Sequence, residues 1–368
     1  MSIRFKDIIK FMEIYAPSNL AEDYDNVGLI IGGRDNEIKR IMVCLDVTTK
    51  VVDKAVEKSI NLIISHHPLI FKGLKRINED DIKGEIIHKL IKNNIGVYCA
   101  HTNLDVADGG INEYLAKTLE LSDIKNLKNY KTESLYKVVV FVPEESVDLV
   151  RQSMSSKGAG WIGNYSDCTF MTKGTGTFNP LEGSNPYIGS KHKLEHVEEI
   201  RLETIVPKNK LNGVINAMIK AHPYEEVAYD VYQLNMDGKS YGFGKIGMLK
   251  EPISFHDFIK SVKEKLDIKN LRVIGRVEKD IEKVAVFCGS YDEGLNHMVK
   301  SKADILVTGD VKYHNAMDMV QMEMCVIDAG HFNTEKIVVP MLVDVLSKEF
   351  SQIDIMSNNV EEDPFKIY

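Results

Sequence analysis

The sequence predicts an α/β protein in which two related α/β segments form one layered domain, interrupted by an inserted α+β domain. Three observations predict this: strand–helix–strand patterns in both outer parts of the chain, a repeat that relates those patterns, and a second repeat between them. A chain of 368 residues is long for one domain and natural for two. We therefore expect bounds at 1–130, 131–245 and 246–368, with the first and last parts belonging together.

The first segment alternates strands and helices. Residues 41–45 and 62–64 are short apolar runs typical of buried strands, and residues 49–58 between them have helical periodicity. Such a unit implies parallel strands joined by a right-handed crossover. A helix at 83–93 and a strand at 95–100 continue the pattern.

The last segment repeats the first at an offset of 243 residues. Residues 41–43 and 62–67 correspond to residues 284–286 and 305–310, and each copy is a strand, a helix, a strand and then a polar cluster. The outer segments therefore have the pattern of two related halves of one structure.

A shorter repeat lies in the middle of the chain. Val142-Pro143, running on to Met154, matches Val206-Pro207, running on to Met218, 64 residues later. Strand, proline and helix recur with the same spacing. With a further strand at 226–234, two such units predict a small α+β sandwich of the ferredoxin-like type.

Composition excludes several functional classes. A formal net charge of −8 argues against a general nucleic-acid or anionic-membrane binder. The five cysteines are scattered and never spaced as CxxC, which indicates buried thiols in a reducing compartment. Residues 1–15 have the pattern of an amphipathic helix and not of a signal peptide, and no apolar run approaches membrane length. We expect a soluble, cytoplasmic protein.

Two adjacent histidines stand where the second buried strand ends, in Ser65-His66-His67-Pro68. Pro68 favours an extended conformation at His67, and neighbouring side chains on an extended chain point to opposite sides. The two rings therefore cannot both bind the same small ion, but each ring could bind one of two ions that lie side by side. The alternative is a pair of hydrogen-bonded core histidines.

Further polar residues follow other strands. His101 and Asp105 follow the strand at 95–100, and His331 and Glu335 follow a strand at 324–327. Ligand sites of parallel sheets gather at the carboxyl ends of strands, so we expect these residues on one rim. Imidazole and carboxylate without thiolate suit Zn²⁺, Fe²⁺ or Mn²⁺.

Without His101, the set is His66, His67, His331, Asp105 and Glu335. Three histidines and two carboxylates are too many for one catalytic ion that keeps an open position. They suit two ions roughly 3.5–4 Å apart. A chance gathering of satisfied polar residues is the alternative. His101 is the candidate for proton transfer, because its ordinary pKa lies near neutrality. A hydrogen bond that orients Asp105 is the other interpretation of His101.

These motifs resemble the signatures of the Nif-type dinuclear metal-binding family, whose members are often named GTP cyclohydrolase 1 type 2 homolog. The resembling motifs are Asp25-Asn26-Val27-Gly28-Leu29, Ser65-His66-His67-Pro68, His101-Thr102-Asn103-Leu104-Asp105, Thr308-Gly309-Asp310 and Gly330-His331 to Glu335. The inserted segment, with Ala221-His222-Pro223-Tyr224-Glu225-Glu226, is similar to the PII-like insertion of longer bacterial members.

The resemblance implies two divalent ions per chain, zinc first and iron or manganese as options. It implies that His66 and Asp105 bind one ion, that His67 and His331 bind the other, and that Glu335 bridges both. It also implies a homohexamer of two stacked trimers, with the metal sites facing the interior.

Two functions of different classes follow. The first is a dinuclear metal-dependent hydrolase, in which metal-activated water attacks a C–N or phosphoryl centre of a small molecule. A nucleotide such as GTP is one option for the substrate, although the sequence has no Walker A loop to bind a triphosphate. The alternative is a metal-binding regulatory or chaperone-like ring protein without turnover, in which the insertion senses a small ligand.

Overall fold

The computed structural model describes residues 2–291 and 295–367, so Met1 of the predicted first helix and Tyr368 of the last segment lie outside the described residues. The strands of the described chain are β1 (Ile3–Arg4), β2 (Gly28–Ile31), β3 (Glu37–Ile38), β4 (Arg40–Cys44), β5 (Leu62–Ser65), β6 (Gly96–Cys99), β7 (Ser122–Pro143), β8 (Thr169–Phe178), β9 (Glu195–Pro207), β10 (Tyr229–Ile253), β11 (Arg272–Ile274), β12 (Ile281–Ser290), β13 (Ile305–Gly309), β14 (Val326–Asp328) and β15 (Asp354–Ser357).

The helices connect these strands in the alternating order that the sequence predicts for the outer segments. They are α1 (Phe5–Tyr15), α2 (Thr49–Glu57), α3 (Ile82–Lys92), α4 (Thr102–Val106), α5 (Ile111–Thr118), α6 (Val147–Ser155), α7 (Lys208–Ala221), α8 (Phe255–Leu266), α9 (Leu295–Ser301), α10 (Tyr313–Gln321), α11 (His331–Glu335) and α12 (Val338–Glu349). None of the described helices is long and apolar enough to cross a membrane.

The chain divides into two compact units. Unit 1 contains residues 1–131 and 241–368, and unit 2 contains residues 132–240. The long strands β7 and β10 carry the chain from one unit to the other. The domain bounds predicted above stay predictions, because a domain in that sense is a segment that folds by itself.

Unit 1 contains a five-stranded sheet in the order β15-β4-β5-β6-β2. Its strands β15, β4, β5 and β6 are parallel, and β2 is antiparallel at the edge. Ile41 and Ile64 pack in one hydrophobic cluster, while Met42 and Ile63 pack in another on the opposite face. A sheet that is covered on both faces explains the unbroken apolar runs of these strands.

A second parallel array in unit 1 consists of β12, β13 and β14, with β11 antiparallel at its edge. Val286 and Val307 of this array belong to the same hydrophobic cluster as Ile41 and Ile64 of the five-stranded sheet. A shared core therefore lies between the two parallel arrays of unit 1. This packing brings the strand ends of both arrays to one site.

The two parallel arrays pair in corresponding registers. Ile41 pairs with Leu62, and Val284 pairs with Ile305, which are the equivalent positions of the repeat. The fold is a mixed α/β structure with several sheets. The description of the outer segments as two related halves stays a prediction.

Unit 2 has an antiparallel sheet in which β9 lies between β7 and β8. Helices α6 and α7 cover one face, and their Met154 and Met218 pack against Val140 and Leu202 of the sheet. Strands β7 and β9 each end at a proline of the repeat, Pro143 and Pro207. The PII-like character of this unit stays a prediction.

Candidate metal centre

The predicted site residues of unit 1 all lie just beyond strand ends. His66 and His67 follow β5, while Asp105 lies in α4 after β6. His331 and Glu335 lie in α11 after β14. The backbone N–H groups of His66 and His67 donate to the carbonyl oxygens of Cys44 and Leu45, which holds the histidine pair against the end of β4.

One carboxylate joins two of the histidines. The Nε2 atoms of His67 and His331 each lie 2.8 Å from Oε2 of Glu335, which is 4% exposed. His331 and Glu335 are four residues apart on α11, the spacing that brings two side chains together on a helix. His67 is 268 residues from Glu335 and reaches it only because the strand ends meet.

The second oxygen of Glu335 faces a different pair of residues. Oε1 of Glu335 lies 3.9 Å from Nε2 of His66, which in turn lies 3.6 Å from Oδ1 of Asp105. Both of these last two atoms are buried and have no hydrogen-bond partner among the described residues. Buried polar atoms without partners are costly, so a ligand that binds both would remove the penalty. A divalent cation is such a ligand.

The outer nitrogen of each ring is held by an oxygen. Nδ1 of His66 lies 2.8 Å from the carbonyl oxygen of Ala100, and Nδ1 of His67 lies 2.9 Å from Oδ1 of Asp46. Nδ1 of His331 lies 2.9 Å from Oδ2 of Asp310. Oxygen acceptors at Nδ1 fix each ring with Nε2 directed toward the site, the arrangement common around metal-ligating histidines.

His101 has the same arrangement. Its Nδ1 lies 3.0 Å from both carboxylate oxygens of Asp25, and the Thr102 backbone N–H donates to the same carboxylate. Ligand atoms of His66, His67 and His101 lie within 4.8 Å of one another. His101 therefore belongs to the centre, and its geometry suits either a metal ligand or a group that transfers protons.

A glycine makes room for the central carboxylate. Gly289, in β12, has a φ of +66°, and a Cβ built on it would lie 2.3 Å from Oε1 of Glu335. Its backbone N–H donates to Oγ1 of Thr334 on α11. Only glycine allows this close approach, so the Glu335 position depends on a residue with no side chain.

The environment shifts the pKa values of these groups. Burial lowers the pKa of His66 to about 3, so its ring is neutral. Burial also disfavours the charged form of His67, but hydrogen bonds to its two carboxylate partners outweigh it and raise its pKa to about 10. The hydrogen bond to Glu335 raises the pKa of His331 to about 9. Burial raises the pKa of Asp105 to about 7.

Glu335 behaves differently from Asp105. Burial alone would raise its pKa, yet hydrogen bonds from His331 and His67 hold the pKa well below the ordinary range. The carboxylate is therefore ionised at neutral pH. An ionised, buried carboxylate with histidine nitrogens near both of its oxygens is suited to bind a cation.

A cavity of about 560 Å³ opens beside these ligands. His67, His101, Asp105, His331 and Glu335 line it on one side. Aromatic side chains line much of the rest: Tyr24, Phe71, Phe243, Phe287 and Tyr291. Its size and apolar walls are those of a small-molecule site.

The structure brings together every side chain that the sequence singled out for the site. His66, His67 and His331 contribute ring nitrogens, and Asp105 and Glu335 contribute carboxylate oxygens. His101 lies among them. The donors are nitrogen and oxygen only, which fits a divalent metal ion.

Sequence reasoning missed the residues that support the ligands. Asp25 enters the sequence prediction only as part of a motif, and Asp46 and Gly289 do not enter it. Asp46 follows the end of β4, on the same rim as His66, and that position is a signal that could have found it. Asp310 is named above only within the motif Thr308-Gly309-Asp310, yet its carboxylate is the Nδ1 partner of His331.

Comparison with known proteins is consistent with this site. Residues 3–364 match the family described as Duf34/NIF3 (NGG1p interacting factor 3). A protein of Halalkalibacterium halodurans named GTP cyclohydrolase 1 type 2 homolog is 44% identical over 362 residues, which are 97% of each chain. A Bacillus subtilis protein of the same name is 42% identical over 368 residues, covering 99% of this chain and 98% of the relative.

A solved structure is also similar over its whole length. The Bacillus cereus protein related to NIF3 has a TM-score of 0.94 and 41% identity, and the match covers 100% of both chains. The family match, the two relatives and this fold agree across both outer segments and the middle of the chain. The chain therefore belongs to the Duf34/NIF3 family.

Proposed function

We propose that this chain is a dinuclear metal-dependent hydrolase whose ligands are His66, His67, Asp105, His331 and Glu335. The observation that carries the proposal is the convergence of three histidine Nε2 atoms on one buried carboxylate, Glu335, with Oδ1 of Asp105 3.6 Å from Nε2 of His66. His66 is neutral, and His67 and His331 must each lose a proton before they bind a cation, while the oxygen partners at Nδ1 already fix the orientation of all three rings.

The distances support a division of the ligands into two sets. His66 and Asp105 lie on the side of Oε1 of Glu335, while His67 and His331 contact Oε2. Each set has one carboxylate oxygen of Glu335, and the bridging role proposed for Glu335 follows from this division. When bound, two adjacent divalent ions supply Lewis acidity and a nucleophilic water near neutral pH.

The chain's own residues supply proton transfer. Asp25 accepts the Nδ1 proton of His101, which leaves His101 Nε2 to take or give a proton at a substrate in the cavity. Hydrogen bonds, chiefly from His101 and Thr102, outweigh burial and hold the pKa of Asp25 at about 2. Asp25 therefore stays ionised and fixes the orientation of the ring.

The aromatic walls favour a planar substrate. Tyr24 and Phe71 contact each other with ring centroids 6.0 Å apart, and Phe71 also contacts His101 at 6.4 Å. A heterocycle held against such rings would lie close to His101. A nucleotide base is therefore the substrate class we propose, in agreement with the name of the relatives.

The test is turnover by protein that is reconstituted separately with Zn²⁺, Fe²⁺ and Mn²⁺. Substrates are GTP, with release of formate as the readout, and bis(p-nitrophenyl) phosphate. We expect His101→Ala to abolish turnover while both ions stay bound. His256→Ala is the control, because His256 is an exposed histidine on α8. Unchanged turnover in His101→Ala would remove the proton-transfer role.

A metal-binding regulatory protein without turnover is the second candidate. A separate cavity within unit 2 favours it, because a sensing domain needs a ligand site of its own. Absence of turnover with every metal and substrate would favour this function. The homohexamer of stacked trimers is part of either proposal, and analytical ultracentrifugation of the metal-loaded protein tests it.

A further inference from the structure

Unit 2 contains a cavity of about 630 Å³ that is separate from the metal centre. It lies on the face of the sheet opposite α6 and α7, where Arg201 and Glu199 of β9 alternate with the buried residues Ile200 and Leu202. A loop at 179–188 forms another wall. The volume is sufficient for a small organic molecule.

A buried carboxylate lines this cavity. Glu199 is only 9% exposed, and it forms no ion pair with any residue that the structure describes. The Tyr224 hydroxyl oxygen is buried beside it, and it forms no hydrogen bond of regular geometry within the described chain. Burial, followed by the neighbouring Glu199 carboxylate, raises the pKa of Tyr224. Buried acidic groups are costly unless a cation or hydrogen-bond donor accompanies them.

The basic residues around the cavity already have partners. Nζ of Lys173 lies 2.7 Å from Oε1 of Glu144, and Nε of Arg201 lies 2.7 Å from Oε1 of Glu203. Neither cation is paired with Glu199. The cavity therefore contains a buried carboxyl group that no cationic side chain of the described residues accompanies.

Aromatic rings surround the same position. The Tyr224 ring lies 6.1 Å from that of Phe178 and 6.0 Å from that of Tyr187, measured between centroids. The backbone N–H of Asn185 donates to Glu225, which ties the 179–188 loop beside Tyr224. Aromatic faces attract cations, and a carboxylate among them adds charge and hydrogen-bond acceptors.

We propose that this cavity binds a small organic cation with a primary ammonium group on an apolar body. The ammonium would donate hydrogen bonds to Glu199 and Tyr224, and the body would contact Phe178 and Tyr187. A primary ammonium is favoured over a quaternary one because Glu199 needs N–H donors. The proposal is independent of the metal centre and of its chemistry.

Two glycines of β8 leave the space that the ligand would occupy. A Cβ on Gly176 would lie 2.1 Å from Oε2 of Glu199, so this glycine allows the carboxylate its position. A Cβ on Gly174 would meet nothing within 4 Å, although Gly174 lines the cavity. A valine at 174 would therefore occupy part of the cavity, and its Cβ would meet no atom of the fold within 4 Å.

The test uses the full chain and calorimetric titration with 2-phenylethylammonium, 2-phenylethanol and phenylacetate. We expect the ammonium to bind at least about tenfold more tightly than the alcohol, and phenylacetate to bind most weakly. Glu199→Gln should weaken ammonium binding by about tenfold or more, and Gly174→Val should abolish it. Glu198→Gln is the matched control, because Glu198 is the exposed neighbour of Glu199 and bonds to Thr175 instead.

Equal affinity for the ammonium and the alcohol would overturn the proposal, since the carboxylate would then contribute nothing. Failure of the ammonium to bind at about 10 mM would overturn it as well. If Glu199→Gln does not fold, as judged by its thermal unfolding, the ligand series and Gly174→Val still decide the matter. Metal content of Gly174→Val should equal that of the unsubstituted protein, because residue 174 lies in unit 2.

Discussion

Substitution of Gly289 by alanine should disrupt the metal centre without unfolding the protein. The added Cβ would lie 2.3 Å from Oε1 and 3.2 Å from Cδ of Glu335, whereas ordinary contacts begin at 3.4 Å. The carboxylate must therefore withdraw by about 1 Å, well beyond the tolerance of about 0.2 Å for ligand distances at a metal site. Since both ligand sets share Glu335, we expect both ions to bind more weakly.

The loss of metal affinity expected for Gly289→Ala is large, whereas the expected loss of folding stability is small. A non-glycine residue in the left-handed region costs about 1–2 kcal/mol, which leaves an ordinary domain folded. Displacement of the shared carboxylate removes a charged ligand. Loss of even a supporting partner of a metal ligand costs about 10–100-fold in affinity. We therefore expect at least about 100-fold weaker metal binding in Gly289→Ala.

Gly163→Ala is the matched control. Gly163 has a φ of +55°, close to the +66° of Gly289, but a Cβ at residue 163 would meet nothing within 4 Å. Both variants bear the backbone strain and only one displaces Glu335. The assay is competition with a chelator of known affinity, followed by elemental analysis after gel filtration. Two ions bound to Gly289→Ala at unchanged affinity would refute the reasoning.

Three further outcomes test the same structure. Glu335→Gln should reduce bound metal toward one ion per folded chain, because a neutral amide cannot screen the repulsion between two cations. Asp105→Asn is the control and should weaken mainly one site. If Glu335→Gln retains two ions at full affinity, Glu335 does not bridge them. Binding of metal at pH 7.5 in weak buffer should release protons, and metal affinity should fall as the pH falls. The reason is that His67 and His331 have pKa values of about 10 and 9 and must lose those protons to bind a cation. A pH electrode that records no proton release would contradict this. Replacement of residues 132–240 by a short Gly/Ser linker should leave a folded, metal-binding unit 1. The two ends of that segment lie close together, since the side-chain oxygens of Thr132 and Ser240 are 3.0 Å apart. Aggregation with every linker length, seen by gel filtration, would count against this prediction.

Much of the site could be predicted from sequence because its ligands occupy a regular position in the fold. Buried parallel strands appear as short apolar runs, and polar residues just after such runs fall on one rim. His66, His67, His101 and Asp105 are all found this way. Element bounds were less accurate: the strand expected at 226–234 begins at Tyr229 and continues to Ile253.

The supporting residues could not be predicted, because their roles arise from contacts between distant segments. Asp25 is 76 residues from His101, and its carboxylate could have bonded to many groups on the same rim. Gly289 is needed only because the Glu335 side chain enters the space beside it, and no local pattern indicates such an approach.

The sequence by itself determined which residues stand at strand ends, since apolar periodicity and the proline after His67 are local properties. Only the tertiary structure decided which partner each residue has. His67 and His331 meet at one oxygen of Glu335 because a shared core packs two parallel arrays together, a contact that spans 268 residues between His67 and Glu335. The cost of burying that carboxylate is offset only when those distant donors arrive with it.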